Sequence, residues 1–189
     1  MGLTRTVAPT TTPITLTEAK QHLRVISNAE DSLIVGLIGS ATRACEAYLS
    51  RQLVTATYAL TLDDFPGGFG IIRIDRTPVQ SISSITYVDA NGTTQTLSTD
   101  AYELVATDVS ALVVLKPGQS WPSVQSAKYA AVTVTFIAGY TAVPDEAKAA
   151  VKLMVGHLFN HRDATTEQTL NENQAVGWLL DSIAVPKVI

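Results

Sequence analysis

Two histidines, His157 and His161, stand four residues apart near the end of an apolar-striped segment. On a helix this spacing would put both imidazoles on one face, as metal-binding helices do. Zinc hydrolases of this kind carry a glutamate general base directly after the first histidine, whereas Leu158 follows His157 here. A third ligand could come from Asp163 or His22, and the sequence selects neither. The pattern favours a helix end whose cationic side chains complement the helix dipole, and leaves a metal-dependent enzyme as an alternative.

The sequence contains few signs of a catalytic or ligand-binding site of another kind. No serine lies in a G-x-S-x-G motif, and no glycine-rich phosphate-binding motif is present. Aromatic residues occur in strand-like segments without interleaved lysine or arginine, so we expect them to pack in a core rather than to stack on bases or sugars. They are Tyr58, Tyr87, Tyr102 and Phe136. A β-domain module that binds a sugar or peptide ligand is the second alternative.

The composition describes a globular chain with a mildly acidic charge. The chain has 189 residues, 46% of them hydrophobic, and a formal net charge of −4, which provides no basic field to attract nucleic acid. The single cysteine, Cys45, excludes an internal disulfide and a cysteine-based zinc site, and we expect it to lie in the core. No apolar run is long enough to span a membrane and no secretory signal is apparent, so we expect a soluble protein in the cytosol at synthesis.

Three helices are predicted from caps and apolar periodicity. Thr15 and Glu18 form a capping box at the start of a short helix that ends near Val25. Ser27 and Glu30 repeat the pattern before a helix of about five turns. A third helix is predicted over 144–161, with Pro144 at its first position.

The segment from 54 to 138 changes to short, β-branched and alternating runs, which predict antiparallel strands. The predicted strands are 54–62, 70–74, 79–88, 93–97, 101–105, 111–115 and 130–138. Because no helices separate them, we expect a sandwich or small barrel rather than a parallel sheet.

The predicted fold class is α+β: a small α-helical bundle with an inserted antiparallel β domain and an extended C-terminal tail. We expect a flexible arm over 1–13, a helical body over 14–52 and 139–170, a β insertion over 53–138, and a C-terminal docking segment over 171–189. The apolar end "AVGWLLDSIAVPKVI" could either fold back as a last helix or anchor a partner, and the pattern favours the anchor.

An ordered series of segments resembles a known family. The segments are "ITLTEAKQHLRV" (14–25), "EDSLIVGLIGSATRACEAYLSRQLVTATYALTLDDFP" (30–66), "RTPVQSISSITYVDANG" (76–92), "SWP" (120–122), "FIAGYTAVPDEAKAAVKLMVGHLFNHRDA" (136–164) and "VGWLL" (176–180). Together they resemble the head-tail connector (adaptor) proteins of long-tailed bacteriophages and of phage-derived gene-transfer particles.

The resemblance implies a structural virion protein without enzymatic activity or cofactors. Its expected role is a twelve-fold ring in the neck of the particle, which docks on the portal protein, extends the DNA channel and supports the stopper and tail proteins. It also implies that the C-terminal segment docks into the portal, through Val176, Trp178, Leu179, Leu180, Ile183 and Val185. Many relatives continue the Leu-Leu pair toward a Pro-Tyr-Arg-like ending, whereas "DSIAVPKVI" follows Leu180 here.

Overall fold

The computed structural model of the protein describes residues 2–68, 70–161 and 174–184. The chain folds as two compact units: residues 1–9 with 55–140 form a β unit, and residues 10–54 with 141–189 form a helical unit. Helices and antiparallel sheets together confirm the predicted α+β class.

The first helix, α1 (Leu16–Leu23), begins at the predicted capping box. The Thr15 hydroxyl accepts a hydrogen bond from the Glu18 amide at 3.2 Å, and Glu18 Oε2 accepts from the Thr15 amide at 2.7 Å. These two bonds satisfy backbone donors that a helix start would otherwise leave unpaired. Arg24, in the left-handed conformation (φ 57°), ends the helix.

The second helix, α2 (Asp31–Leu49), buries one face along its length. Its N-cap is Glu30, without a side-chain capping bond, so the capping box predicted at Ser27 and Glu30 is wrong. Ser27 Oγ instead accepts from the Ala29 amide at 3.1 Å, which makes a local turn. The buried residues recur at helical spacing and are Ile34, Ile38, Ala41, Thr42, Cys45, Glu46 and Leu49.

The third helix, α3 (Asp145–Asn160), follows Pro144, whose carbonyl accepts from the Lys148 amide at 3.1 Å. It packs against α1 and α2 in the helical unit. A Cβ added at Gly156 would lie 3.4 Å from His22 Nε2, so the glycine gives α1 room to approach α3.

The C-terminal segment differs from the extended tail that the sequence predicts. Gln174–Asp181 forms a fourth helix, α4, which packs against α3 and α2. Val176 and Leu180 are four residues apart, so a helix puts both on one face and buries them together. In an extended strand the two residues would share a face but lie about 13 Å apart, whereas one turn of helix brings them to about 6 Å and lets them be buried as one patch.

Eight strands form two antiparallel sheets in the described β unit, and neither sheet closes into a barrel. The five-stranded sheet has the order β1-β2-β8-β4-β5 and the three-stranded sheet has the order β3-β7-β6. The strands are β1 (Gly2–Val7), β2 (Ala56–Leu62), β3 (Ile72–Ile74), β4 (Val79–Val88), β5 (Thr94–Thr96), β6 (Tyr102–Ala106), β7 (Ala111–Leu115) and β8 (Val132–Ala138).

Buried residues of both sheets form one hydrophobic core. The alternation in β8 is complete, with every second residue from Val132 to Ala138 buried. Tyr58, Tyr102 and Phe136 lie in this core, as the sequence predicts, and the rings of Tyr58 and Phe136 stack at 5.7 Å.

Strand β1 corrects the flexible arm predicted over 1–13. Gly2–Val7 pairs antiparallel with β2, with Leu3 opposite Leu60 and Arg5 opposite Tyr58. All six side chains of β1 are exposed, so main-chain pairing rather than apolar burial holds the strand. Because none of its residues is buried, β1 has no alternation of apolar and polar residues in its sequence. The strand could therefore not be predicted from such a pattern.

Candidate docking surface

Helix α4 has one buried and one exposed face. Val176 and Leu180 are only 5% and 2% exposed, whereas Trp178, between them in sequence, is 71% exposed. A step of two residues turns a helix by roughly 200°, which places the indole opposite the buried pair. The helix thus presents a large aromatic side chain to solvent while its other face is fixed in the helical unit.

Two polar contacts from the end of α2 hold the end of α4. The Tyr48 hydroxyl donates to Asp181 Oδ1 at 2.7 Å, and Arg51 Nη1 donates to the Ile183 carbonyl at 3.0 Å. Within the segment itself, Ser182 Oγ donates to the Leu179 carbonyl at 2.7 Å. The bonds from Arg51 and Ser182 satisfy backbone carbonyls at the C-terminal end of α4, whereas Tyr48 donates to a side-chain carboxylate.

A buried polar network positions the turn that carries Arg51. Ser50 takes the left-handed conformation (φ 54°) and ends α2. Beyond it, Gln52 Nε2 donates to Glu46 Oε1 at 2.6 Å, and the Leu53 amide donates to the same oxygen at 3.0 Å. Glu46, Arg51 and Gln52 are all buried. Because buried polar groups need partners, this network fixes the chain direction after α2 and so the place of Arg51.

The six predicted docking residues differ in how far they are exposed to solvent. Trp178 is exposed, Leu179 and Ile183 are half-buried, and Val176 and Leu180 are buried within the helical unit. Val185 lies outside the described residues. Tyr48 and Arg51 hold the end of α4, a role that the sequence does not reveal because their partners lie 133 and 132 residues away.

His157 on α3 and His161, the C-cap of that helix, stack on one another with ring centroids 4.6 Å apart, and His161 Nδ1 lies 3.0 Å from the His157 carbonyl oxygen. In the part of the chain that the structure describes, no group of three or more His, Cys, Asp and Glu side chains is arranged to hold a metal ion. Asp163, a candidate third ligand, lies outside that part.

Cys45 is buried on α2 as the sequence predicts. Burial, followed by the charge of the neighbouring Glu46, raises the pKa of its thiol to about 11. Because the thiolate is the nucleophilic form, this cysteine is unreactive near neutral pH.

The β unit contains an open cleft of about 840 Å³ between residues 63–68 and residues 120–129. Among its aromatic lining residues, Phe65 and Trp121 are engaged within the protein, whereas Tyr129 is exposed. The rings of Phe65 and Trp121 stack at 4.9 Å, and Trp121 Nε1 donates to the Gly70 carbonyl at 2.9 Å. These contacts fix the two loops to one another, which is the role expected of packing residues.

Among the residues described, none of the helices has the length and apolar character that crossing a membrane requires. Comparison with curated proteins gives no significant match.

Comparison with known families gives a match over part of the chain. Residues 13–103 match the family model described as phage gp6-like head-tail connector protein, which confirms the resemblance seen in the sequence.

Among solved structures, chains of gene transfer agent (GTA) particles have the same fold as this chain. One, from the virion of a native GTA particle, is 21% identical with a TM-score of 0.81. Two others, from the neck of an empty particle computed with C6 symmetry and of a native particle computed with C12 symmetry, are each 20% identical, with TM-scores of 0.81 and 0.80. Each match covers 100% of this chain and 98% of the other.

Proposed function

We propose that this protein is a head-tail connector (adaptor) of the particle neck. It assembles as a ring, twelve-fold in the particle, docks on the portal protein, extends the DNA channel and supports attachment of stopper and tail proteins. Its role is structural rather than enzymatic, and its place is the virion neck, after assembly in the host cytoplasm.

The observation that carries this proposal is the likeness in fold to chains of GTA necks, which covers 100% of this chain and 98% of each neck chain. The family match over 13–103 is independent support, because it rests on sequence rather than on shape. Symmetric neck particles also support a ring, since a chain repeated about a rotation axis makes the same interface with each neighbour.

Portal docking is assigned to the C-terminal segment, with Trp178 as the main anchor. Tryptophan is enriched at the centres of protein interfaces because it buries a large apolar area at small entropic cost. At 71% exposure, the indole of Trp178 has most of its surface left to bury.

The buried face of α4 has a second role in this proposal. Val176 and Leu180, together with the Tyr48–Asp181 hydrogen bond, keep the helix ordered before it meets the portal. Ordering in advance lowers the entropy cost of docking, so the helical unit presents a preformed anchor. The half-buried Leu179 and Ile183, and Val185 beyond the described residues, complete the docking set.

The experiment is electron microscopy of the purified chain mixed with the portal of the same particle. We expect rings of the chain seated on the portal, and no rings on the portal when residues 175–189 are deleted. A portal that never carries a ring of the full chain would overturn the proposal.

A point variant separates docking from folding, because the deletion also removes two buried side chains. We expect Trp178→Ala to weaken portal binding by about 30-fold, the loss typical of a hot-spot residue, while the circular dichroism spectrum is unchanged. Tyr129→Ala is the matched control, since Tyr129 is an aromatic residue of the β unit at 87% exposure. Equal affinities for the two variants would remove Trp178 from the docking set.

A further inference from the structure

Strand β1 is attached to the β unit chiefly through its main chain. Its six residues are all exposed, and none of them belongs to the buried core of the unit. The antiparallel pairing with β2 runs from Gly2–Thr61 to Val7–Thr57, with an irregularity between Arg5 and Val7. The strand therefore contributes hydrogen bonds to the edge of the sheet but no interior packing.

Side-chain contacts make this edge specific for β1. Thr61 Oγ1 donates to the Gly2 carbonyl and Thr6 Oγ1 donates to the Thr57 carbonyl, each at 3.2 Å. The second contact is made at the irregularity itself, because Thr6 lies between Arg5 and Val7, so an unrelated strand would not reproduce the register. The occupant that fits the β2 edge is this sequence itself.

A short segment connects β1 to the next anchored residue of the chain. Residues 8–12 are exposed or half-exposed, whereas Pro13 and Ile14 are buried in the helical unit. Five residues reach at most about 17 Å, and Pro9 restricts the backbone further. A short hinge next to a terminal strand permits exchange of that strand between identical chains, because the exchanged form keeps every contact between β1 and β2.

We propose that β1 exchanges between copies of this protein, so that β1 of one copy pairs with β2 of a second copy in the register described. The inference rests on the ring proposed above, in which the next copy is held at high effective concentration. Edge pairing of this kind joins neighbours through main-chain hydrogen bonds and leaves no open β2 edge in the assembly.

The test uses two single-cysteine variants of the full chain, Thr4→Cys and Ala59→Cys. Thr4 lies opposite Ala59 in the β1–β2 pairing, and both side chains are accessible. The variants are mixed under reducing conditions in the presence of the portal, as in the microscopy experiment above, then oxidised and run on a non-reducing gel. Exchange predicts a disulfide-linked heterodimer at twice the mass of the chain, lost on reduction.

The controls make each outcome decisive. Neither variant alone forms this dimer by exchange, and the native chain stays monomeric on the gel because Cys45 is buried with a pKa of about 11. The double variant carries both cysteines and, when dilute, forms the bridge within one chain, which shows that the geometry permits it. Bridging in the double variant without a heterodimer in the mixture overturns the exchange.

Ring formation is scored separately, by electron microscopy of the same mixtures before oxidation. Rings without the heterodimer contradict strand exchange and leave the proposed function intact. A heterodimer without rings supports exchange and counts against the proposed function.

Discussion

At the scale of single residues, the capping box of α1 shows how a local sequence motif becomes a tertiary contact. Thr15 and Glu18 exchange hydrogen bonds across the first turn, and the Glu18 carboxylate also lies 3.5 Å from Lys152 on α3. The backbone and side-chain hydrogen bonds from Thr15, with a smaller contribution from Lys152, lower the pKa of Glu18 from its ordinary value of 4.5. One carboxylate thus both starts α1 and joins it to α3.

Replacing the cap should destabilise the helical unit. We expect Thr15→Ala to reduce the free energy of unfolding by about 1 kcal/mol, because the amide at the third helical position loses its acceptor. The measurement is urea denaturation followed by circular dichroism. Thr17→Ala is the matched control: Thr17 is exposed within α1, where alanine is the better helix former, so that variant should be neutral or slightly stabilising.

The stabilisation from Glu18 should depend on pH with a defined sign. A carboxylate whose pKa is lower in the folded state stabilises the protein above its unfolded pKa and loses that effect as pH falls through its folded pKa. We expect the stability difference between the native chain and Glu18→Gln to be full at pH 7 and to shrink below about pH 4.5. Unfolding curves measured from pH 7 down to pH 3 test this, and a difference that grows on acidification would contradict it.

At the scale of elements, the sequence predicts structure well where apolar residues follow a period. The seven predicted strands and the first three helices are all present, with ends shifted by about one or two residues as is usual for such assignments. The stripe from Ile34 to Leu49 identifies α2 because buried residues fall at helical spacing.

Two elements depend on partners far away in the chain. Strand β1 has no buried residue, and its place is decided by β2, more than fifty residues later. Helix α4 is apolar enough to be noticed in sequence, but its helical form depends on packing against α2 and α3. Trp178 could be identified as a candidate anchor from its type, whereas the contacts of Tyr48 and Arg51 could not.

The two faces of α4 should respond differently to truncation. We expect Leu180→Ala to lower the free energy of unfolding by about 3 kcal/mol, because it leaves a cavity at a position only 2% exposed. Trp178→Ala should change stability by less than about 0.5 kcal/mol, since the indole is largely in solvent. Thermal denaturation of both variants makes the comparison, and a large loss for Trp178→Ala would show that the indole supports the fold.

At the scale of the whole molecule, net charge is the property that bears most directly on the DNA channel proposed above. The chain has 13 Lys and Arg residues against 17 Asp and Glu residues, for a net charge of −4. A ring of such subunits carries that excess many times over. In the proposed ring, DNA passing through would therefore be repelled rather than bound, which is compatible with the proposed role.

We expect the purified protein not to bind duplex DNA at about 0.15 M salt, because few counterions would be released from the phosphates. Fluorescence anisotropy with a labelled duplex measures this directly. A Lys-rich DNA-binding domain at equal concentration serves as the positive control. Saturable binding at micromolar protein would contradict the expectation and indicate a local basic patch.

The Leu53 amide offers a way to follow the helical unit by itself. This amide donates to the buried carboxylate of Glu46, next to the boundary at which the β unit begins. Its deuterium uptake should be slow and should require opening of the helical unit, whereas amides at the centre of β8, such as that of Val134, should require opening of the β unit. The exchange rates at these two positions give the free energy of opening of each unit. If the two free energies fall together across a denaturant series, the units unfold together; if they differ, the units unfold separately.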